Sequence, residues 1–359
     1  MASLFSMLAQ PMFDFLGPER SHAMAIQALK SGIYPHARHS DPRLGVEVFG
    51  IKFPNPLGIA AGFDKNAEVP DAILKMGFGF AEVGTVTPKP QRGNPRPRVF
   101  RLADEHAVIN RLGFNNQGHD VVCGRLMQRA NRPGIVGVNI GVNKDSPDRI
   151  ADFIAGIRGF YDLAGYFTIN ISSPNTPGLR DFQTKENLTE LMERVLAERD
   201  ALHQEQGRTI PILFKISPDL TDKDLADIAK ICLKQKVDGV IISNTTITRE
   251  NISGARAKEQ GGLSGSPLFA LSTAKLAQFY LLTKGKIPLI GVGGIDSPET
   301  AYAKIKAGAS LLQLYTGLIY QGFELIGKIK RGLAAQLEAD GHKTIAEAVG
   351  KDAKSLAKL

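Results

Sequence analysis

"YFTINISSPNTPGLR", residues 166–180, runs a short aromatic and β-branched segment directly into a cluster of two serines, two asparagines, two prolines and a glycine. The first part has strand composition, because such side chains suit a pleated, half-buried surface. The second has turn composition. A turn alone would explain it, were the pattern not repeated along the chain. Comparable runs stand at "PLGIAAG" (56–62), "FAEVGTVT" (80–87), "IVGVNIG" (135–141), "IPILFKIS" (210–217), "DGVIISN" (238–244), "PLIGVGG" (288–294) and "SLLQLYT" (310–316), which with "YFTINIS" (166–172) makes eight. Amphipathic helical patterns separate most of them, such as "NLTELMERVLAERDAL" after residue 186 and "DKDLADIAKICLKQ" after residue 221. This alternation predicts an α/β fold, a (β/α)8 TIM barrel with an N-terminal helical extension. Each run finishes on glycine or a polar side chain: Gly62, Thr85, Asn139, Asn170, Lys215, Asn244, Gly294 and Thr316. Active sites of such barrels gather at the C-terminal strand ends, so the polar ends are expected to converge.

A chain of 359 residues, 43% hydrophobic and 22% charged, is long enough for one large barrel. Residues 1–40 read as a separate helical unit, 41–340 as the barrel and 341–359 as a helical tail. Two connections exceed a simple crossover. Residues 88–110 are rich in proline and arginine and predict a small hairpin beside the barrel mouth, and "NTTITRENISGARAKEQGGLSGSPL" (244–268) predicts an ordered binding loop. The two cysteines, Cys123 and Cys232, match no metal-ligand spacing and are too few for a disulfide framework. No metal is expected. No apolar run approaches the ~20 residues of a spanning helix, and the first residues lack the features of a signal peptide, so the chain is expected to remain cytoplasmic. A formal charge of +8 suits an anionic partner without choosing one, and the lack of zinc-finger or RNA-binding motifs argues against nucleic acid.

The polar ends suggest a chemistry. "GVGGI" (291–295) and "YTG" (315–317) follow the last two strands, where such barrels often cradle phosphate on backbone N–H groups. "GGLSGSPL" (261–268) could close over the same group. Tight turns alone would account for any one of these. Lys65 and Lys215 bring two cations to the mouth, where a structural ion pair, as of Lys65 with Asp64, competes with an anionic ligand. Asn110, Asn115, Asn116, Asn139, Asn170, Asn175 and Asn244 add amides that suit a planar ligand with amide and imide edges. No histidine or carboxylate pair falls at a strand end, so hydrolysis is not expected. The set suits the positioning of a cofactor that carries the hard chemistry.

The ordered motifs "AAGFDKN", "EVGTVTPKPQRGNPRPRVFRL", "NRLGFNN", "NISSPNTPGLR", "GGLSGSP" and "GVGGI" with "YTG" complete the pattern. From about residue 13 to about residue 350 the chain resembles the class 2, quinone-dependent dihydroorotate dehydrogenases. That resemblance implies FMN-dependent oxidation of dihydroorotate to orotate in pyrimidine (UMP) biosynthesis, with electrons passed to a membrane quinone. By motif, Ala61, Gly62, Thr85, Asn139, Asn170, Lys215, Ser243, Gly265, Gly294, Tyr315 and Thr316 correspond to cofactor contacts. Lys65, Asn110, Arg111, Leu112, Gly113, Phe114, Asn170, Asn175, Asn244 and Thr245 correspond to the orotate site. Ser173 corresponds to the catalytic base; strand alternation alone does not separate it from Ser172. Class 1 relatives use a cysteine base, whereas both cysteines here fall in predicted helices, which favours class 2.

The N-terminal unit is expected to hold two helices. Leu4, Leu8, Met12 and Phe15 form a stripe on the first; Pro18 suits the start of the second, where His22 shares a face with Ala25, Ile26, Leu29 and Ile33. Packing onto the barrel would explain both faces. The resemblance makes the pair an apolar quinone channel lined by His22, Arg101 and Tyr315, with peripheral contact at the cytoplasmic face of the cell membrane. Two rivals remain: a flavin-free, phosphate-binding isomerase or lyase on the same barrel, and a non-enzymatic membrane-binding module.

Overall fold

The computed structural model describes residues 17–37, 40–250 and 252–359. Among the described residues, helix α1 (Pro18–Lys30) comes first, followed by an antiparallel hairpin of β1 (Val46–Val48) and β2 (Ile51–Phe53). Phe53 meets Phe80 edge-on, centroids 5.3 Å apart, and so packs against the barrel's N-terminal end. The barrel begins with β3 (Leu57–Asp64) and β4 (Phe80–Val86). A side excursion then forms β5 (Val99–Leu102) and β6 (Ala107–Asn110) before β7 (Ile135–Ile140), β8 (Tyr166–Asn170), β9 (Ile212–Ile216) and β10 (Gly239–Ile242) return to the barrel. A second excursion supplies β11 (Gly262–Gly265), and β12 (Leu289–Val292) with β13 (Leu311–Leu314) closes the ring against β3. All eight predicted strands are present, each parallel to its neighbours.

Crossovers carry α2 (Pro70–Lys75), α3 (Gly118–Met127), α4 (Arg149–Phe160), α5 (Lys185–Gln206), α6 (Asp222–Gln235), α7 (Phe269–Thr283) and α8 (Pro298–Ala307). After β13 come α9 (Thr316–Gln321) and α10 (Glu324–Ala339), then two short helical turns, Ile345–Ala348 and Ala353–Leu356. Local signals set the helix starts. Asp148 accepts the N–H groups of Ile150 and Ala151 at the head of α4, and Ser297 with Thr300 forms a reciprocal capping box on α8. Strands β4, β8, β9, β10, β12 and β13 are buried at every position, because helices cover their outer face and the barrel interior fills the other. Cys123 and Cys232 lie within α3 and α6 as free thiols.

The predicted hairpin is real and larger than expected. β11 pairs with the free edge of β6 (Leu263↔Ile109), making a three-stranded sheet at the barrel mouth with a small apolar core of Leu102, Ala107, Ile109 and Leu263. Helix α1 is tied to the same region through Arg98, which donates to Glu19 Oε1 and Oε2, each at 3.0 Å. Ile26 and Leu29 are buried beneath α1, whereas Ile33 lies past the helix end and is 60% exposed, so it leaves the apolar face expected for it. The stripe of Leu4, Leu8, Met12 and Phe15 lies outside the described residues. Among the described residues, no helix is long and apolar enough to cross a membrane.

Candidate active site

The polar strand ends form a stack of hydrogen bonds. Glu82, fully buried on β4, accepts from Gln313 (2.6 Å), Asn139 (2.7 Å), Tyr166 (2.9 Å) and Thr168 (3.0 Å). Satisfying one carboxylate from three other strands makes it the polar floor of the barrel. Committing the Asn139 amide NH2 to Glu82 turns its Oδ1 upward, where it accepts from Thr85 Oγ1 at 2.6 Å and from Asn170 at 3.3 Å. Asn170 therefore faces its own Oδ1 to Ser172, whose hydroxyl donates to it at 2.9 Å. Asn244 Nδ2 completes the layer by donating to Ser172 Oγ at 2.8 Å.

Above this layer a cavity of about 1580 Å³ opens. Ser173 lines it, with Asn175 donating its backbone N–H to Ser173 Oγ at 3.2 Å, whereas Ser172 does not. Arg180 holds the loop from behind: it donates to the carbonyls of Ser172 (3.0 Å) and Thr245 (3.2 Å) and pairs with Asp219 at 2.8 Å. Asn175 Nδ2 reaches the carbonyl of Asn110 at 3.1 Å, joining the loop after β8 to the end of β6.

Two lysines enter the cavity. Lys65 donates to the Gly62 carbonyl at 2.7 Å, and burial lowers its pKa to about 8 despite the nearby charges of Asp64 and Glu19. It does not use Asp64 as its partner, because Asp64 accepts the backbone N–H groups of Glu68 and Val69. Lys215 is 5% exposed and makes no hydrogen bond or ion pair among the described residues. Burial lowers its pKa, and the charge of Glu82 works against that fall.

Ala61, Gly62, Thr85, Asn170, Lys215, Ser243, Gly265, Gly294, Tyr315 and Thr316 all line the cavity, as do Lys65, Asn110, Leu112, Gly113, Phe114, Asn175, Asn244 and Thr245. Asn139 and Arg111 do not. The former is fully buried below its neighbours, and the latter turns outward to pair with Glu259 at 2.8 Å and cover the Phe100 ring at 4.6 Å. The sequence reading missed Glu82, Gln313 and Arg180. A carboxylate in the middle of the apolar run "FAEVGTVT" was the available signal for the first.

The cavity continues from the mouth toward α1. There His22 stands edge-on to Phe63 (centroids 5.5 Å apart), and the Tyr315 hydroxyl lies 3.2 Å from His22 Nδ1. Arg101 also lines this branch. Burial, followed by the charge of Lys65, lowers the His22 pKa to about 3, so its ring is neutral at physiological pH.

These walls fit a flavin nucleotide on two counts. Lys215 presents a buried ammonium to the cavity with no hydrogen-bond or ion-pair partner among the described residues. Gly265 and Gly294 also line the cavity, and a Cβ on Gly294 would approach Phe269 N to 2.8 Å and one on Gly265 the His106 carbonyl to 2.2 Å, so both turns demand glycine and bring bare backbone to the cavity wall.

The family model described as dihydroorotate dehydrogenase matches residues 43–337. "Dihydroorotate dehydrogenase (quinone)" of Parvibaculum lavamentivorans is 59% identical over 347 residues, covering 96% of this chain and 98% of the relative. That of Brucella ovis is 57% identical over 362 residues, covering 99% and 98%. The crystal structure of DHODH from Eimeria tenella in complex with ferulenol superposes with a TM-score of 0.90 at 41% identity, covering 94% of this chain and 96% of that one.

Proposed function

The chain belongs to the dihydroorotate dehydrogenase family, in its quinone-dependent class, and on that premise we propose that it oxidises dihydroorotate to orotate for pyrimidine synthesis, using FMN and passing electrons to a membrane quinone. One observation carries this reading. A single cavity joins Ser173, the amides and both lysines to the glycine turns, and then runs on under α1.

FMN, when bound, supplies the two-electron chemistry that no protein side chain here can perform. Lys215 would hold its ring system, and the turns at Gly265, Gly294 and Thr316 its phosphate. The remaining work belongs to the protein. Lys65 is a cation for the substrate carboxylate, and Asn110, Asn175 and Asn244 offer donors and acceptors to its ring edges. Ser173 is the base that takes the substrate proton. A serine hydroxyl is weak in that role, so orientation and exclusion of water must compensate. Arg180 supplies the orientation by fixing the carbonyls on both sides of the site. Asn175 N–H holds Ser173 Oγ on the cavity side.

The branch past His22, Phe63, Tyr315 and Arg101 is the quinone passage. A neutral imidazole and aromatic rings suit an apolar electron acceptor. We assign the chain a peripheral position at the cytoplasmic face of the cell membrane, supported by its family's quinone dependence and its charge of +8. The decisive experiment uses the purified protein without oxygen. Dihydroorotate should bleach an absorbance at ~450 nm, the flavin's visible band, and a long-chain quinone should restore it. A colourless protein would leave the flavin-free, phosphate-binding isomerase reading in its place, and a yellow protein whose colour is indifferent to dihydroorotate would overturn the substrate while keeping the flavin.

A further inference from the structure

Behind the glycine turn that follows β12 stands a lysine that no carboxylate among the described residues answers. Lys304 on α8 is fully buried, and its Nζ donates to Ser272 Oγ (2.6 Å) and Thr273 Oγ1 (3.0 Å) in the opening turns of α7. The Phe269 ring centre lies 5.3 Å from the same nitrogen. Among the described residues it forms no ion pair. Burial alone pushes its pKa well below the ordinary lysine value, with no neighbouring charge to oppose the shift. A buried cation of this kind is costly unless something negative lies near it.

The hydroxyl it holds leads to the cavity. Ser272 Oγ shares its one O–H between the carbonyls of Phe269 and Gly293, each at 3.2 Å. A Cβ on Gly293 would meet Ser272 Oγ at 2.8 Å, so the turn lies flat against α7, with the ammonium one hydroxyl behind it. Gly293 and Gly294 both line the cavity on the opposite side. An anion resting on that turn would therefore sit within the reach of the Lys304 charge without touching it.

We propose that Lys304 is the buried counter-charge for the ligand's phosphate, a positioning residue that acts through Ser272 and the Gly293–Gly294 turn. This rests on the flavin mononucleotide reading above. It accounts for a buried cation that forms no ion pair among the described residues.

The test compares FMN with riboflavin, which has the same ring and no phosphate. The full-length apoprotein is titrated with each, and Kd is read from flavin fluorescence, for the wild type, Lys304→Met and Lys304→Gln. Methionine keeps the stem. Glutamine keeps a donor for the two hydroxyls and removes the charge. Both variants are expected to bind FMN about tenfold more weakly, the scale of one charge pair roughly 10 Å apart in a partly screened interior, and to bind riboflavin unchanged. Equal weakening for both flavins, or an undiminished preference for FMN, overturns the proposal. So does failure of both neutral variants to fold, which would make the lysine a purely structural cation. A wild-type protein that binds neither flavin sinks the functional reading itself, a distinguishable result.

Discussion

At Ser172 the hydroxyl is committed downward, donating to Asn170 and accepting from Asn244, whereas Ser173 faces the open cavity with one backbone N–H upon it. Sequence alternation could not separate them, because both follow a strand end and orientation there depends on the partner across the barrel. Ser173→Ala should retain flavin and orotate binding while slowing flavin reduction by dihydroorotate about 10² to 10⁴-fold in anaerobic stopped flow; near-normal reduction would refute the base assignment. Ser172→Ala should be much milder. Lys215→Met keeps the stem and loses the charge, so the flavin potential should fall or flavin affinity weaken; a variant unchanged in both would remove Lys215 from this role. Lys65 adds a pH signature. Its folded pKa is about 8, and an anionic substrate binds the protonated form, so orotate affinity should be full below that pH and decline above it. Lys65→Met should flatten the profile as well as weaken binding; a wild-type Kd that stays constant through pH 9 would count against the contact.

Helix α1 and the mouth sheet show what element-level reading captures and what it loses. The start of α1 at Pro18 was legible, because proline in a first turn costs no hydrogen bond. β11 was not, since "GLSG" has no strand composition and becomes a strand only through the open edge of β6. Deleting residues 1–33 should spare flavin reduction by dihydroorotate but cripple turnover with a long-chain quinone and weaken liposome binding. Full long-chain activity in the truncated protein would disprove the passage. His22 also links α1 to pH. Its pKa is about 3 folded against an ordinary 6.5, so between those values the unfolded chain binds more protons. The contribution to stability is present above pH 6.5 and is lost as pH falls toward 3. His22→Gln should accordingly flatten part of the decline in melting temperature through that window, and an unaltered pH dependence would show the imidazole to be solvated.

Across the whole molecule, the barrel was readable because every strand carries the same two signals, a β-rich apolar run and a polar or glycine end. The floor beneath the site was hidden, because Glu82, Asn139, Thr168 and Gln313 sit on four different strands and meet only when the sheet closes. That closure also governs how the protein is made. β6 emerges from the ribosome roughly 150 residues before β11, its partner in the mouth sheet, and β3 waits longer still for β13. Until then the nascent chain has unpaired edges and nothing to hold a ligand. Ligand can therefore stabilise only the finished polypeptide, so, on the FMN reading, a cell short of flavin would lose this protein chiefly after synthesis, through faster turnover of completed chains.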